Sequence, residues 1–434
     1  MTVAAVKIWG TTIGAVALDG PGETARFEYE PDFRRSGIEL SPVVMPLGDR
    51  VYAFPGLPRE SFHGLPGMLA DSLPDRFGNA LIDVWLATQG RTPASFDAVE
   101  RLCYTGARGM GALEFVPVVG PRATASRTLR VDKLVELASE VLRNRGDLRV
   151  SFADESKEEA LGDILRVGTS AGGARAKAIL AWNPETHEVR SGQIRAGDGF
   201  EYWILKFDGV SGNRDKELED PQGYGSIEYA YHRMASAAGV TMSECRVLEE
   251  NGRRHFMTKR FDRRSDGDKL HMQSLCGIAH YDFNAAGAYS YEQAMLVMRQ
   301  LGLSMDAIEQ QFRRMVFNIV ARNQDDHTKN IAFLMDRSGT WSLAPAYDVI
   351  YSYNPTGQWT SRHQMSCNGK LDGFTVGDLN ECAKAASMKR GRAESILAEV
   401  ADAVSRWAEF AEEAKVDATS ISKISRVHRL DLAG

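Results

Sequence analysis

Residues 323–330 read NQDDHTKN and residues 344–348 read APAYD, and these two stretches decide what kind of fold surrounds them. Asp325 stands five residues before Asn330, and Asp348 lies eighteen beyond it, past a predicted hairpin, NIAFLMD-RSGT-WSLAP. Phosphoryl transfer needs a carboxylate to orient the attacking hydroxyl and oxygen ligands to hold Mg2+ on the phosphates. The D-x-x-x-x-N spacing supplies the carboxylate and an amide oxygen from one loop. The hairpin then doubles the chain back, so that Asp348 can approach Asn330 and share the hard-cation site. His327 and Lys329, inside the loop, can offset developing phosphate charge. Asp326 is a second carboxylate, but only Asp325 has the five-residue offset. Without the hairpin and Asp348, the same residues would also suit a capping turn after a helix.

Upstream, EYWILKFD (201–208) is a predicted strand with Tyr202, Ile204 and Lys206 on one face. A helix over 226–238, stopped by Gly239, follows and carries Glu228. A strand lysine paired with a helix glutamate is how a kinase fold fixes its phosphate-binding ammonium. A lysine at a strand end also serves as an ordinary snorkelling surface residue. VGTSAGGARAK (167–177) precedes this strand. It is neither a Walker A motif nor GxGxxG, yet its small residues admit an anion to the backbone, and Arg175 and Lys177 add positive charge. RVLEE-NG-RRHFMTKRF predicts a hairpin turning at Asn251-Gly252. Its exit, MTKRFDRR (257–264), suits a connection between lobes where backbone groups hold an adenine ring and Phe261 packs on it; a charged loop over a buried Phe is the plainer alternative.

The 434 residues have room for one to three cores, and 43% hydrophobic with 25% charged residues is ordinary globular composition. A net charge of −6 argues against a broad basic nucleic-acid surface. The five cysteines, Cys103, Cys245, Cys276, Cys367 and Cys382, are scattered and never spaced CxxC, which predicts neither a zinc site nor a disulfide framework and suits a reducing cytoplasm. The N-terminus reads as a strand pair and not a signal peptide, and no apolar run reaches the length of a membrane span. Residues 65–87 predict paired helices with Ser72 and Asp75 as N-cap candidates and Phe77, Leu81, Val84 and Trp85 on one face. Residues 117–130 are linker-like; after residue 290 the chain is mostly helical, and 376–413 is helical again.

Taken together, SAGGARAK (170–177), Lys206, KRFDR (259–263), DDHTKN (325–330) and APAYD resemble the HipA family of type II toxin–antitoxin serine/threonine kinases. LPGMLADSLPDRFGN (65–79) is similar to that family's amino-terminal motif. The resemblance runs from about residue 5 to beyond 400. It implies an α+β, two-lobed protein-kinase-like fold with a small β-rich N-terminal subdomain. The implied parts are an N-terminal subdomain over 1–120, an ATP-binding lobe over 121–262 and a helical lobe over 263–434.

The resemblance also implies roles for these residues. Asp325 would be the catalytic base, Asn330 and Asp348 the Mg2+ ligands, and Lys206 the contact to the ATP phosphates. Gly172, Gly173, Ala174, Arg175, Ala176 and Lys177 would form the phosphate loop, and Lys259, Arg260 and Phe261 the adenine-side hinge. His327, Thr328, Lys329 and Tyr347 would line the nucleotide site. Autophosphorylation would fall on Ser170, with Thr169 beside it as an alternative. The implied partners are a small helix-turn-helix, HipB-like antitoxin, with DNA reached only through it, and an aminoacyl-tRNA synthetase as acceptor. The chain has no HRD, DFG or APE, so substrate docking does not carry over from ordinary protein kinases. A small-molecule kinase and a non-catalytic co-repressor are the alternatives.

Overall fold

The computed structural model describes residues 1–20, 22–120, 128–143, 164–165, 175–210, 214–215, 218–219, 222–264 and 267–433. The alternation near the N-terminus builds β1 (Thr2–Ile8), β2 (Thr11–Leu18) and β3 (Arg26–Tyr29). Trp9 and Gly10 turn the first pair with φ of 48° and 85°, the doubly positive pattern that suits a twisted two-residue hairpin. With β4 (Val51–Tyr52) and β5 (Leu113–Val116) they form an antiparallel sheet ordered β4-β3-β2-β1-β5. Val6, Val16, Phe27 and Phe115 enter one core with Phe62 and Met68.

Residues 65–88 fold as the helices Gly67–Ala70 and Arg76–Thr88. Of the two expected caps, Asp75 accepts the Gly78 amide at 2.6 Å. The second helix begins behind Asp75 and not behind Ser72, whose amide closes the preceding turn on the Leu69 carbonyl. Phe77, Leu81 and Val84 are buried on one face, and Trp85 is partly covered.

The middle of the chain supplies β6 (Lys177–Trp182), β7 (Val189–Ser191), β8 (Glu201–Lys206), a short pair β9 (Arg214–Asp215) and β10 (Leu218–Glu219), then β11 (Cys245–Glu250) and β12 (Arg253–Lys259). The sheet order β11-β12-β8-β6-β7 places β8 centrally. Trp203 and Leu205 therefore enter the core, which leaves Ile204 and Lys206 on the opposite face. Asn251 and Gly252 turn the β11–β12 hairpin with φ of 43° and 76°, as expected from the Asn-Gly pair. The helix Tyr224–Ala237 starts two residues before the expected 226. It lies so close to β12 that a Cβ on Gly225 would stand 2.2 Å from the Arg254 carbonyl oxygen.

The C-terminal part contains β13 (His271–Ser274), β14 (Tyr289–Ser290), the hairpin β15 (Ala332–Met335) and β16 (Trp341–Leu343), and β17 (Met365–Ser366). Its helices include Tyr291–Gln300, Met305–Val320, Val376–Ala385, Arg392–Ser405 and Trp407–Glu413. Phe312, Val316, Ile319, Ile396, Val400 and Trp407 form its core. The expected α+β, two-lobed arrangement with a small β-rich N-terminal part is the one found. No helix among the described residues is long and apolar enough to cross a membrane.

Two joints fasten the N-terminal sheet region to the rest. At the first, a Cβ on Gly67 would stand 2.2 Å from the Gly277 carbonyl oxygen, and Asp71 accepts the Ser274 amide at 2.7 Å. At the second, fully buried Asp262 meets Arg260 in a bidentate pair at 2.9 and 2.7 Å, Arg263 at 2.6 Å and the Gly111 amide at 2.7 Å. Both arginines also donate to the Gly109 carbonyl, at 3.2 and 3.0 Å. Burial pushes the Asp262 carboxyl up, but Arg260 and Arg263 outweigh it and bring the pKa from 3.8 to about 2. Such a depressed acid stabilises the fold above pH about 4 and loses that contribution as pH falls towards 2. Asp262→Ala strands two buried guanidiniums and is expected to cost about 3 to 5 kcal/mol in a denaturant titration at neutral pH. The difference between wild type and Asp262→Ala should shrink as the titration is repeated towards pH 2.

Candidate active site

Antiparallel pairing of β6 and β8 sets Lys177 directly opposite Lys206. Like charges at facing positions repel, so this pairing stands only with compensating anions. Lys206 finds Glu228 Oε1 at 2.5 Å, from the helix packed on β12, and the carboxylate of Asp348. Lys177 finds Asp75 Oδ2 at 3.5 Å, from the N-terminal part of the chain. Arg175 stacks its guanidinium on the Tyr224 ring, 3.7 Å from the centroid.

Burial alone would pull the Lys206 pKa down, but Asp348 and Glu228 outweigh it and raise it. Burial likewise works against the Asp348 carboxylate, and Lys206 and Lys177 overcome it, so its pKa lies well below the carboxylate range. Asp75 behaves oppositely: burial raises its pKa, and Lys177 only partly offsets this.

A cavity opens between the lobes at this cluster. Met110, Ile204, Phe261 and Met272 are among its apolar lining residues, and Lys177, Lys206 and Asp348 among its charged ones. A second cavity shares Tyr347 and Asp348 and is completed by His327 and Asn330. Asp348 stands where the two meet. It has φ of 51°, the left-handed region that Asp tolerates better than most side chains.

The loop after the helix Met305–Val320 separates its two carboxylates. Asp326 is buried and accepts from Tyr291 Oη at 2.6 Å, His363 Nδ1 at 2.8 Å and the Gln364 amide at 2.8 Å. Burial opposes its charge, but His363 and these hydrogen bonds prevail and lower its pKa. Asp325 accepts from Trp359 Nε1 at 2.6 Å and lies 3.9 Å from His327 Nε2. Asn330 Nδ2 donates to the Asp325 carbonyl at 2.9 Å, which turns the Asn330 amide oxygen away from that carbonyl.

Other candidate residues are placed differently from a uniform pocket lining. Thr328 donates to the Tyr281 carbonyl at 2.7 Å and is buried, and the Lys329 ammonium sits 4.9 Å above the Phe283 ring. Tyr347 donates to the Lys329 carbonyl at 2.6 Å, with its ring 5.7 Å from that of Phe261. Lys259 pairs with Glu201, and the Arg260 guanidinium is committed to Asp262, so the 259–261 segment offers the cavity its backbone and the Phe261 ring. Ala176 is packed in the core beneath the sheet. Thr169, Ser170, Gly172, Gly173 and Ala174 lie outside the described residues.

Sequence reasoning missed two contributors. Asp75 was legible only as a helix cap, since nothing local announces a partner a hundred residues on. Trp359, the indole donor to Asp325, sits in a stretch without periodicity. The resulting donor set suits a polyphosphate with a hard dication: Lys177 and Lys206 line the first cavity, and Asn330 and Asp348 bring an amide and a carboxylate to the second.

Comparison with known proteins bears on the fold and the family. HipA from Shewanella oneidensis MR-1, solved with HipB and operator DNA, superposes with a TM-score of 0.65 over 99% of this chain and 96% of that one, at 19% identity. The putative kinase Y4mE of Sinorhizobium fredii (strain NBRC 101917 / NGR234) is 26% identical over 128 residues, which are 27% of this chain and 30% of that protein. Residues 4–116 match the HipA N-terminal domain and residues 169–408 the HipA-like C-terminal domain, and the chain belongs to the HipA family.

Proposed function

We propose that this chain is a Mg2+- and ATP-dependent serine/threonine protein kinase, acting as the toxin of a toxin–antitoxin pair. The observation that carries the reading is the Lys206 ammonium held between Glu228 and Asp348, with Asp348 sharing a cavity with Asn330. In this reading Asp325 is the catalytic base. Trp359 fixes its carboxylate, and the carboxylate orients the acceptor hydroxyl and takes its proton. Lys206 holds the ATP phosphates, with Lys177 and Arg175 adding positive charge and Gly172, Gly173, Ala174 and Ala176 completing the phosphate-binding stretch. The 259–261 segment and Phe261 hold the adenine. His327, Thr328, Lys329 and Tyr347 shape the nucleotide side of the loop. Asn330 and Asp348 hold Mg2+, which when bound neutralises charge on the transferred phosphoryl group.

Ser170, with Thr169 as the alternative, is the proposed autophosphorylation site. A phosphate there would set about two negative charges beside those of ATP and oppose nucleotide binding. The Shewanella HipA was solved with HipB and operator DNA, which supports a HipB-like helix-turn-helix antitoxin as partner, with DNA reached through it. The net charge of −6 agrees with DNA binding that is indirect. An aminoacyl-tRNA synthetase as acceptor rests on the family resemblance, as does the division of the chain at residues 120 and 262.

Incubation with γ-labelled ATP and Mg2+ tests the reading. Wild type should take label at Ser170 or Thr169, and Asp325→Ala should lose about 100- to 10,000-fold in rate while still binding ATP. If both proteins bind ATP and neither takes label, autophosphorylation falls and a small-molecule acceptor or a co-repressor role replaces it. The neighbouring carboxylate should behave differently. Asp326→Ala removes the shared acceptor of buried Tyr291, His363 and Gln364 and is expected to cost about 3 kcal/mol in thermal unfolding. Asp325→Ala should stay within about 1 kcal/mol of wild type in the same melt.

A further inference from the structure

The C-terminal helices enclose a group of sulfur and carboxylate atoms for which phosphoryl transfer has no use. Glu292 lies in the first turn of the helix Tyr291–Gln300, Met315 in Met305–Val320 and Cys382 in Val376–Ala385, while Cys367 follows β17. One ligand atom each from Glu292, Cys367 and Cys382 lies within 4.8 Å of the other two. Both cysteines are fully buried and are not bonded to each other. Met315 Sδ approaches Cys382 Sγ to 3.8 Å. Glu292 Oε1 accepts the Asn368 amide at 2.7 Å, while Oε2 is shut off from solvent, and the donor the carboxylate has within the cluster is the Cys382 thiol.

A buried carboxylate oxygen with only a weak thiol donor beside it is costly, and a cation removes that cost. The spacing suits one: in a tetrahedral site with metal–sulfur bonds of about 2.3 Å two thiolate sulfurs stand about 3.8 Å apart, which falls inside the 4.8 Å that bounds the ligand atoms of Glu292, Cys367 and Cys382. The donors are two thiols, a thioether and a carboxylate. Thiolates select Cu(I) or Zn2+, and the carboxylate oxygen turns the choice to the borderline divalent ion. A disulfide between the cysteines would consume both sulfurs and leave Glu292 Oε2 unmatched.

We infer that Glu292, Cys367 and Cys382, with Met315 on the fourth side, form a structural zinc site. On binding, the hydrated Zn2+ gives up water, the two thiols lose their protons to solvent, and two thiolates and one carboxylate bond to the metal; nothing is oxidised or reduced. Because both thiols must lose their protons to bind the metal, affinity falls as pH falls. The site ties three helices to the segment after β17. Just before that strand, His363 and Gln364 hold Asp326. Zinc would thus brace the loop that carries Asp325, although the site stands whether or not the chain is a kinase. The sequence spacing predicted no zinc site because the donors come from four separate elements.

Purified full-length protein, stripped by chelation under reducing conditions and titrated with Co2+, tests this. One equivalent should bind with the visible bands of a tetrahedral centre and a near-ultraviolet thiolate charge-transfer band, and Zn2+ should displace it. Cys367→Ser and Cys382→Ser should each lose charge-transfer intensity. Glu292→Gln, which keeps both thiols and the helix turn, should weaken Co2+ binding and abolish the rise in melting temperature that Zn2+ gives the stripped wild type. Absence of the charge-transfer band in folded wild type, or equal Co2+ binding by the Cys367→Ser/Cys382→Ser double variant, would overturn the site. So would freshly purified protein lighter by two hydrogens in a reductant-reversible way, with no bound zinc.

Discussion

Two lysines facing each other across neighbouring strands are the constraint around which this molecule is arranged. Lys177 and Lys206 repel at their cross-strand positions, and the sheet holds them there because three carboxylates converge on them. The three come from distant parts of the chain: Asp75 from the N-terminal region, Glu228 from the helix on the sheet, and Asp348 from beyond the β15–β16 hairpin. Bringing them together fixes the mutual placement of both lobes and the N-terminal part. The balance also governs what can enter. A phosphate approaching Lys206 meets the Asp348 carboxylate beside it, and that repulsion is relieved when a dication sits between them. In the proposed kinase, nucleotide and metal therefore bind as a unit.

The N-terminal region is on this view a part of the site and not an appendage to it. Asp75 caps the helix Arg76–Thr88 through Oδ1 and faces Lys177 through Oδ2, so one side chain serves local and long-range structure together. The Asp262 cluster binds the Gly109–Gly111 backbone to the segment entering the cavity that Met110 lines. Buried ion clusters of this kind add little net stability but penalise every wrong arrangement heavily. That is suited to holding a junction in register, which dispersive packing between two smooth surfaces would leave free to slide.

What the sequence disclosed follows the range over which each signal acts. The β11–β12 hairpin was legible because Asn251-Gly252 needs only its own backbone preference. Lys206 was legible because strand alternation puts it on a stated face, and the D-x-x-x-x-N loop because both residues share one turn. Glu228 was visible as a candidate, although its burial against Lys206 depends on how close Gly225 lets the helix approach β12. Asp75 and Trp359 were hidden, since each is decided by a partner brought near only by the finished fold. Ser72 illustrates the converse: its residue type suits a cap, but the helix that follows starts at Arg76 with Asp75 as its N-cap.

The loop at Asp325 shows how a local repeat of charge acquires two different uses. Arg322 takes a left-handed conformation, φ 60°, just past the helix, and exchanges backbone hydrogen bonds with its surroundings through Ser352, whose amide donates to the Arg322 carbonyl at 3.1 Å. Gln324 returns the contact by donating to the Ser352 carbonyl at 3.0 Å. The chain therefore leaves the helix in extended form, and consecutive side chains in extended backbone point to opposite sides. Tyr291, His363 and the Gln364 amide draw Asp326 inward, while Asp325 turns to Trp359 and His327. An acid placed at 326 is thus an anchor that aims its neighbour. Moving the anchor by one residue would exchange the two roles and break the five-residue relation to Asn330.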